Sequence, residues 1–190
     1  LDGNRSNDTI TYSFNSIITI NTLPYTEDFE SGNGGWVTYG TNSSWAWGSP
    51  SAPNISAAAG GSNAWVTNLS GTYNNNEFSY LESPCIDFST LTSDPILYFA
   101  HTFDTETNFD EGWVETSIDG GVTWTKLLDN GNAQEWYNDT INQWWEGTSS
   151  AGAGFWVNAE NRLVGTANQS AVKLRFVFSL LGALRFYYIW

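Results

Sequence analysis

The clearest pattern in the chain is an alternation of side chains that begins at Trp113. Successive side chains of a strand point to opposite faces, so the alternation predicts a strand with two different faces. One face would carry Val114, Thr116 and Ile118, and the other Trp113, Glu115 and Ser117. The segment Asp119-Gly120-Gly121 then predicts a tight turn, because glycine readily adopts a positive φ. Residues Val122 to Leu128 predict the returning strand of a β-hairpin.

Residues 117–124 also match the spacing S-x-D-x-G-x-T-W, known as the Asp-box hairpin. This hairpin recurs in sialidase propellers and occurs singly in many secreted β-domains. The match occurs once in this chain, whereas a propeller needs its unit repeated in every blade. We therefore interpret it as a turn motif whose Trp124 packs beneath the loop, and not as evidence for a sialidase.

Short runs rich in β-branched and aromatic residues recur along the rest of the chain, separated by Gly, Asn, Ser and Pro. Residues 129–154 lack convincing helical periodicity and are interpreted as a long aromatic loop folded over one face. Strands with turn signals and no amphipathic helix predict an all-β fold, an antiparallel two-sheet β-sandwich. The predicted strands outside the hairpin are 63–69, 78–86, 96–103, 155–158 and 172–178.

The first residues do not look like the start of the same domain. Residues 1–8 are rich in turn formers and Thr9–Phe14 alternates as a strand, which together are typical of the last hairpin of an immunoglobulin-like module. Pro24 restricts the residue before it and lacks a ladder donor. The sequence therefore predicts residues 1–22 as the tail of a preceding module with its linker, and residues 23–190 as the β-sandwich domain.

Composition and charge exclude several classes of partner and of structure. The formal net charge is -14, so the surface would repel nucleic acid and anionic membranes. The longest apolar run is interrupted by Gly182 and Arg185 and is shorter than the roughly 20 residues that span a bilayer. The single cysteine, Cys85, excludes an internal disulfide and is expected in the core. Many aromatic residues among Asn, Ser, Thr and Gly are typical of secreted β-proteins.

Two acidic side chains early in the domain are candidates for a metal site. Asp28 and Glu30 are expected on the same side of a strand, where two carboxylates are costly to bring together without a cation. Ca²⁺ prefers about six to eight oxygen ligands, and Asp104 and the carbonyls of residues 31–35 are candidates for further ones. The alternative is a solvated edge strand without a metal.

Candidate ligand-binding residues cluster around the hairpin. Trp113 and Glu115 share one face, and the long loop is expected to place Trp144 and Trp145 over that face. Aromatic rings bind the C–H faces of sugars by stacking, while polar side chains hold the hydroxyls. His101 is the only histidine and no G-x-S-x-G elbow accompanies it, so it is interpreted as a packed strand residue. No catalytic residue is assigned.

Several short motifs match a known group of modules in their order and spacing. The matching segments are Tyr25–Gly32, Gly34–Trp36, Ser44–Gly48, Asn63–Trp65, Leu81–Pro84, Thr116–Trp124 and Ser170–Phe176. On these segments, residues 23–178 resemble the MAM-like jelly-roll modules. That group includes the cleaved-adhesin domains and many repeat modules of large secreted Bacteroidetes proteins.

The resemblance implies a jelly roll, a secreted or cell-surface location with type IX secretion as one route, and adhesion without chemistry. It also implies that Asp28 and Glu30 help to hold a structural Ca²⁺. The relatives usually end in a further strand with an acidic pair, whereas residues 180–190 contain no carboxylate. We therefore expect a weaker calcium site, exposed aromatic residues that favour association, and a C-terminal end that is divergent, truncated or frame-shifted.

Three classes of function stay open. The leading hypothesis is a non-catalytic extracellular recognition or adhesion module that binds glycan or a cell-surface protein as part of a larger secreted protein. A glycoside hydrolase or lyase on a jelly-roll scaffold is the rival, for which Asp110, Glu111 and Glu115 supply carboxylates without a recognisable pairing pattern. The third hypothesis is a structural spacer between neighbouring domains.

Overall fold

The structure, a computed structural model, describes residues 18–180, and the regular elements of this range are all strands. Apart from the parallel pair of β1 with β6, they form antiparallel sheets in two layers, which confirms the predicted all-β sandwich. The strands are β1 (Thr19–Ile20), β2 (Val37–Thr41), β3 (Trp45–Gly48), β4 (Ala64–Thr67), β5 (Phe78–Glu82), β6 (Cys85–Ile86), β7 (Ile96–His101), β8 (Asp110–Ser117), β9 (Thr125–Lys126), β10 (Val157–Arg162) and β11 (Lys173–Leu180).

The first layer is a continuous five-stranded antiparallel sheet with the order β2-β5-β11-β8-β9. In this register Arg175 of β11 lies opposite Glu82 of β5 on one side and Glu115 of β8 on the other. Alternation sends Leu174, Phe176 and Phe178 of β11 to the opposite face of the sheet. That face is apolar because it covers the core.

The second layer consists of two antiparallel ribbons, β3–β4 and β7–β10. Phe99 of β7 reaches into the core, where its ring lies 5.0 Å from that of Phe176 and 6.0 Å from that of Trp145, measured between centroids. The buried core also contains Ile86, Phe88, Phe103, Val114, Leu127, Trp136, Tyr137, Ala159, Leu163, Val172 and Leu174. Cys85 is buried, as expected for a small core residue.

The segment before the predicted boundary joins this core. β1 pairs in parallel with β6, and Ile20 packs against the core, as does Leu23 just after the boundary. The predicted strand Thr9–Phe14 lies outside the described residues, so the assignment of residues 1–22 to a preceding module stays a prediction.

The central hairpin forms, but its second strand is shorter than predicted. β8 ends at Ser117, β9 contains only Thr125 and Lys126, and Ile118 is 47% exposed instead of lying on the inner face. The reason is Asp119, whose carboxylate accepts hydrogen bonds from the Thr123 hydroxyl and the Thr123 and Val122 N–H groups. These bonds hold the pKa of Asp119 well below its usual range and curl the chain away from a ladder.

The long loop, which was predicted to fold over one face, pairs with the edge of the sheet beside β8. Gly112 of β8 and Trp145 exchange both backbone hydrogen bonds, at 2.9 and 2.8 Å, so the loop extends the sheet locally. The Tyr137 hydroxyl accepts a bond from Val114 N–H at 3.0 Å and donates to the Leu127 carbonyl at 2.8 Å. The loop is therefore a packed part of the core and not a loose cover.

Candidate functional site

The outward face of the five-stranded sheet carries most of its aromatic and charged side chains. We call this surface the charged aromatic face, and it consists of Tyr39, Tyr80, Trp113, Glu115, Trp124, Lys126, Trp144 and Arg175. The strand residues reach the same face because the register aligns Glu115, Lys126 and Arg175 in one row across β8, β9 and β11. Val114 and Thr116 are buried on the other face, as the alternation predicts.

Lys126 connects the two tryptophans that the sequence places at the ligand site. Its Nζ lies 5.0 Å from the ring centroid of Trp113 and 5.2 Å from that of Trp144. Trp113 in turn donates its indole N–H to Glu115 at 2.8 Å. The structure thus brings Trp113, Glu115 and Trp144 together, with an ammonium group between the rings. Burial lowers the pKa of Lys126, against the opposing effect of Glu111.

Arg175 is the other centre of this face. Its guanidinium carbon lies 4.2 Å from the ring centroids of both Tyr80 and Trp124, so one ring face of each is already covered. Its side chain also donates to Glu115 at 2.6 Å and to the Tyr39 hydroxyl at 3.1 Å. A ligand that stacks on an aromatic ring must therefore use the rings that Arg175 leaves uncovered.

A second carboxylate extends this network. Tyr39 donates its hydroxyl to Glu82 at 2.7 Å, and Lys173 forms an ion pair with Glu82 at 2.5 Å. Burial, followed by the hydrogen bond to Glu82, raises the pKa of Tyr39 to about 12. The hydroxyl therefore stays protonated at neutral pH, and the polar part of the face is fixed before any ligand arrives.

Trp145 does not lie on the charged aromatic face, where the sequence predicts it as a candidate ligand-binding residue. Its side chain is 2% exposed and its ring lies 4.8 Å from Tyr137 and 5.1 Å from Trp136, so its packing is that of a core residue. Consecutive residues of an extended segment point to opposite sides, which is why Trp144 reaches the charged aromatic face and Trp145 does not. Trp145 anchors the loop that presents Trp144.

Two titratable groups near the hairpin have pKa values moved by burial. Burial raises the pKa of Glu111 to about 7, with further contributions from the negative charges of Asp110 and Glu146. Burial lowers the pKa of His101 to about 4, and its Nε2 lies 3.1 Å from the Glu135 carbonyl. His101 packs against Phe99 and Trp145, as expected for a packed strand residue.

The predicted metal ligands occupy two different hydrogen-bond networks. Asp28 and Glu30 lie in a turn and not on a strand, because Phe29 between them has a positive φ of 60°. Glu30 accepts bonds from the N–H groups of Ser62 and Asn63 at 2.9 and 2.7 Å. Asp104 instead accepts a bond from Asn54 Nδ2 at 2.6 Å.

These contacts fit a calcium site only in part. Among residues 18–180, no group of three or more His, Cys, Asp and Glu side chains is arranged to hold a metal ion. Asp28 and Glu30 would be the protein carboxylates of such a site, with loop carbonyls as the remaining ligands. The carboxylate of Asp104 accepts hydrogen bonds from Asn54 and, at 3.0 Å, from the Thr148 hydroxyl.

A second region with ligand-sized space lies between the ribbons of the second layer. We call it the interlayer groove; its volume is about 1270 Å³. Its walls include Trp65 of β4 with Tyr98 and Ala100 of β7, and its floor includes Leu81 and Phe176. The sequence pattern did not indicate this groove, because it depends on how far apart the ribbons lie.

The sequence interpretation also missed the cations of the charged aromatic face. The signal was available in β11, where Lys173 and Arg175 alternate with the apolar Leu174 and Phe176 and so must face away from the core. What the pattern did not contain is the pairing with β5, which brings Tyr80 beside Arg175. That contact joins residues far apart in sequence.

The fold and its surfaces define a β-sandwich module with an aromatic and charged face, and in residues 18–180 no helix is long and apolar enough to cross a membrane. No protein-family model matches the chain. It is similar to Bacillopeptidase F of Bacillus subtilis (strain 168), with 37% identity over 125 residues. This match covers 63% of the chain and 8% of Bacillopeptidase F. A related sequence therefore forms a small part of a much larger protein.

Proposed function

We propose that this chain is a non-catalytic recognition or adhesion module of a larger extracellular protein, related to the MAM-like jelly-roll modules. The observation that supports the proposal most directly is the charged aromatic face, where Trp113 and Trp144 flank Lys126 beside the Glu115 carboxylate. The similarity to a small part of Bacillopeptidase F supports a role as one module among others. The Asn-rich and acidic composition favours secretion or display at the cell surface.

The proposed ligand of this face is a glycan or a cell-surface protein, and the glycan alternative is the one that the tryptophans support. Sugar C–H groups stack on indole faces, which Trp113 and Trp144 offer in part, and Glu115 and Lys126 supply an acceptor and a donor for hydroxyls. The contacts to Arg175 and Trp113 hold Glu115 in place before binding, which lowers the entropic cost of ordering the site. The net charge of -14 disfavours nucleic acid and anionic membrane surfaces.

The test is binding of the full chain to an array of immobilised glycans, with titration of each ligand that binds. Trp144→Ala should weaken binding about tenfold, because a lost stacking contact with its buried area is worth about 1.4 kcal/mol. Phe155→Ala is the matched control, since Phe155 is 67% exposed but does not belong to the charged aromatic face. Equal binding by all three chains, or binding to neither glycans nor cell surfaces, would leave the spacer as the better hypothesis.

The absence of catalysis is tested separately. The chain is incubated with polysaccharide, peptide and ester substrates, and we expect no turnover. Burial raises the pKa of Glu111 to about 7, but its side chain is only 5% exposed and therefore hardly accessible to a substrate. Turnover that disappears in Glu115→Gln or Glu111→Gln would establish the hydrolase hypothesis instead.

A further inference from the structure

The two layers of the sandwich are unequally complete. One layer is a five-stranded sheet, whereas the layer opposite is divided into two ribbons of two strands each. The interlayer groove between them, about 1270 Å³ in volume, exceeds the roughly 300–1,000 Å³ of most small-molecule sites. Apolar side chains of the continuous sheet, Leu81 and Phe176, form its floor.

One wall of the groove is a strand edge with unused backbone groups. Glu160 of β10 exchanges both backbone hydrogen bonds with Gln134, at 2.9 and 3.0 Å. Tyr98 of β7 lies opposite Glu160 in the ribbon and therefore forms no backbone hydrogen bond with Glu160. The N–H and C=O of Tyr98 point instead to the other edge of β7. The same alternation applies to Ala100 two residues later. Within residues 18–180, these groups have no hydrogen-bond partner across that edge.

The opposite wall has the same property. Asn68 N–H donates to the Ser44 carbonyl at 2.9 Å, which continues the ladder between β3 and β4. Hydrogen-bonded and non-bonded pairs alternate along an antiparallel ladder, so Trp47 and Trp65 form a non-bonded pair. The backbone N–H and C=O of Trp65 thus point away from β3, and Trp65 lines the groove.

This combination selects one class of occupant. A lipid would match the apolar floor but would leave the backbone groups of Tyr98, Ala100 and Trp65 without hydrogen bonds, which is costly where water is excluded. An extended polypeptide offers N–H and C=O groups at the strand repeat and apolar side chains on one face. Edge addition of a strand therefore satisfies both the floor and the walls of the groove.

The charge of the groove further restricts which peptides would fit it. The charged side chains that line it, apart from the largely neutral His101, are Glu27, Asp28 and Glu30. The ion pairs of residues 18–180 are Lys173–Glu82 and Arg175–Glu115, so the three carboxylates have no basic partner within that range. A peptide with a Lys or Arg at one end of an apolar strand complements this arrangement.

We propose that the interlayer groove binds an extended strand of another polypeptide, apolar on one face and basic at one end, by strand addition to β7 and β4. The completed layer would place the strand between the two ribbons. This inference does not use the contacts of Lys126 and Arg175 on the charged aromatic face, although Trp113 of that face also lines the groove. The module would then hold a protein partner with one surface and its glycan ligand with another.

The test uses the full chain and a synthetic peptide of alternating Val and Thr that carries a Lys at one end. Binding is measured by calorimetry, and hydrogen exchange is followed at the amides of Tyr98, Ala100 and Trp65. We expect saturable binding that slows exchange at these amides. N-methylation of alternate peptide nitrogens removes donors and should weaken binding at least about tenfold, since each lost hydrogen bond is worth about 0.5–1.5 kcal/mol.

Two changes of charge identify the basic end. Replacing the peptide's Lys with Glu should weaken binding several-fold, and Asp28→Asn in the protein should reduce that preference. Glu106→Gln is the matched control, since Glu106 does not line the groove, and Trp144→Ala should leave peptide binding unchanged. Equal binding of the N-methylated peptide, or no saturable binding, would overturn the proposal.

Two other occupants give distinct results, and either one would overturn the proposal of a separate partner. Self-association of the full chain that the peptide reverses would assign the groove to a second copy of the chain. Peptide binding that appears only when the chain is cut after Leu180 would assign the groove to residues 181–190. Sedimentation of the full chain with and without peptide, and of the shortened chain, distinguishes these cases.

Discussion

The core of the sandwich is closed differently at the hairpin and at the interlayer groove. At the hairpin, the 129–154 loop adds Trp145 to the sheet edge through two backbone hydrogen bonds, and Tyr137 bonds to both Val114 and Leu127. The interlayer groove has a volume of about 1270 Å³ and is lined by residues of β4 and β7, and it also reaches Trp145. One side is sealed by the chain's own loop, whereas the other presents strand edges.

The comparison shows that aromatic residues with similar sequence surroundings have different roles. Trp145 on the sealed side is 2% exposed, while Trp47 of β3 is 37% exposed and donates its indole N–H to the Phe29 carbonyl. Burial decides between the two roles, and burial depends on which segment crosses above each ring. The sealed side should therefore contribute more to stability than the open side, and the open side should bind the extended peptide.

The largest expected effect tests the sealed side. Trp145→Ala should lower the free energy of unfolding by about 3–5 kcal/mol, because it leaves a cavity among Phe99, Trp136 and Tyr137. Trp47→Ala, the matched change on the open side, should cost no more than about 1–2 kcal/mol, since its ring is partly hydrated. Urea unfolding measures both. Equal losses would mean that the two sides contribute alike to stability.

A smaller effect depends on pH and on Glu111 of the sealed side. Burial raises its pKa in the folded protein to about 7, so the folded state holds a proton that the unfolded chain loses near pH 4.3. The contribution of Glu111 to stability therefore falls as pH rises between these values and is constant above about pH 7. Glu111→Gln should be more stabilising at pH 8 than at pH 5, by about 1–3 kcal/mol.

Thermal unfolding of both chains at the two pH values measures this difference. Asp110, Glu146 and Lys126 act on Glu111, and all are retained in the variant. Burial lowers the pKa of His101 to about 4, so its protonation in acid destabilises the folded protein. This effect is the same in both chains and cancels when they are compared. A variant that gains the same stability at both pH values would show that Glu111 is ionised throughout this range.

The smallest effect concerns calcium at the open side. A site with two carboxylates should have a dissociation constant at the millimolar end of the range for extracellular modules. A Ca²⁺ concentration about tenfold above that constant should raise the free energy of unfolding by about 1.4 kcal/mol. Asp28→Asn should abolish this shift. Asp87→Asn is the matched control, because Asp87 accepts the N–H of Ser89 just as Asp28 accepts that of Glu30. Melting that ignores Ca²⁺ and chelator alike would end the calcium hypothesis.

The sequence predicted the parts of the fold that depend on local pattern. The faces of β8, the burial of Cys85 and the packing of His101 follow from alternation and composition. The turn at Phe29 was missed because its positive φ gives no compositional signal in a Phe, and the second hairpin strand was overextended because Asp119 captures the N–H groups of the following residues. Local chemistry there overrides strand propensity.

The candidate site was only partly predictable for a different reason. The structure brings Trp113, Glu115 and Trp144 together, and their role in ligand binding stays a prediction. The stacking of Arg175 on Tyr80 and Trp124 depends on the register of β5, β11 and β8, which is set by packing of the whole sheet. The interlayer groove depends on the separation of two ribbons and has no sequence signature.

The position of β11 has a consequence for the order in which the molecule forms. β11 is the last described strand, yet it lies between β5 and β8 at the centre of the five-stranded sheet. The earlier strands cannot complete that sheet until residues 173–180 have left the ribosome, because closing it requires contacts across about ninety residues of chain. We therefore expect the five-stranded sheet to close only after residue 180 has been synthesised, so that folding of this layer follows translation and does not accompany it.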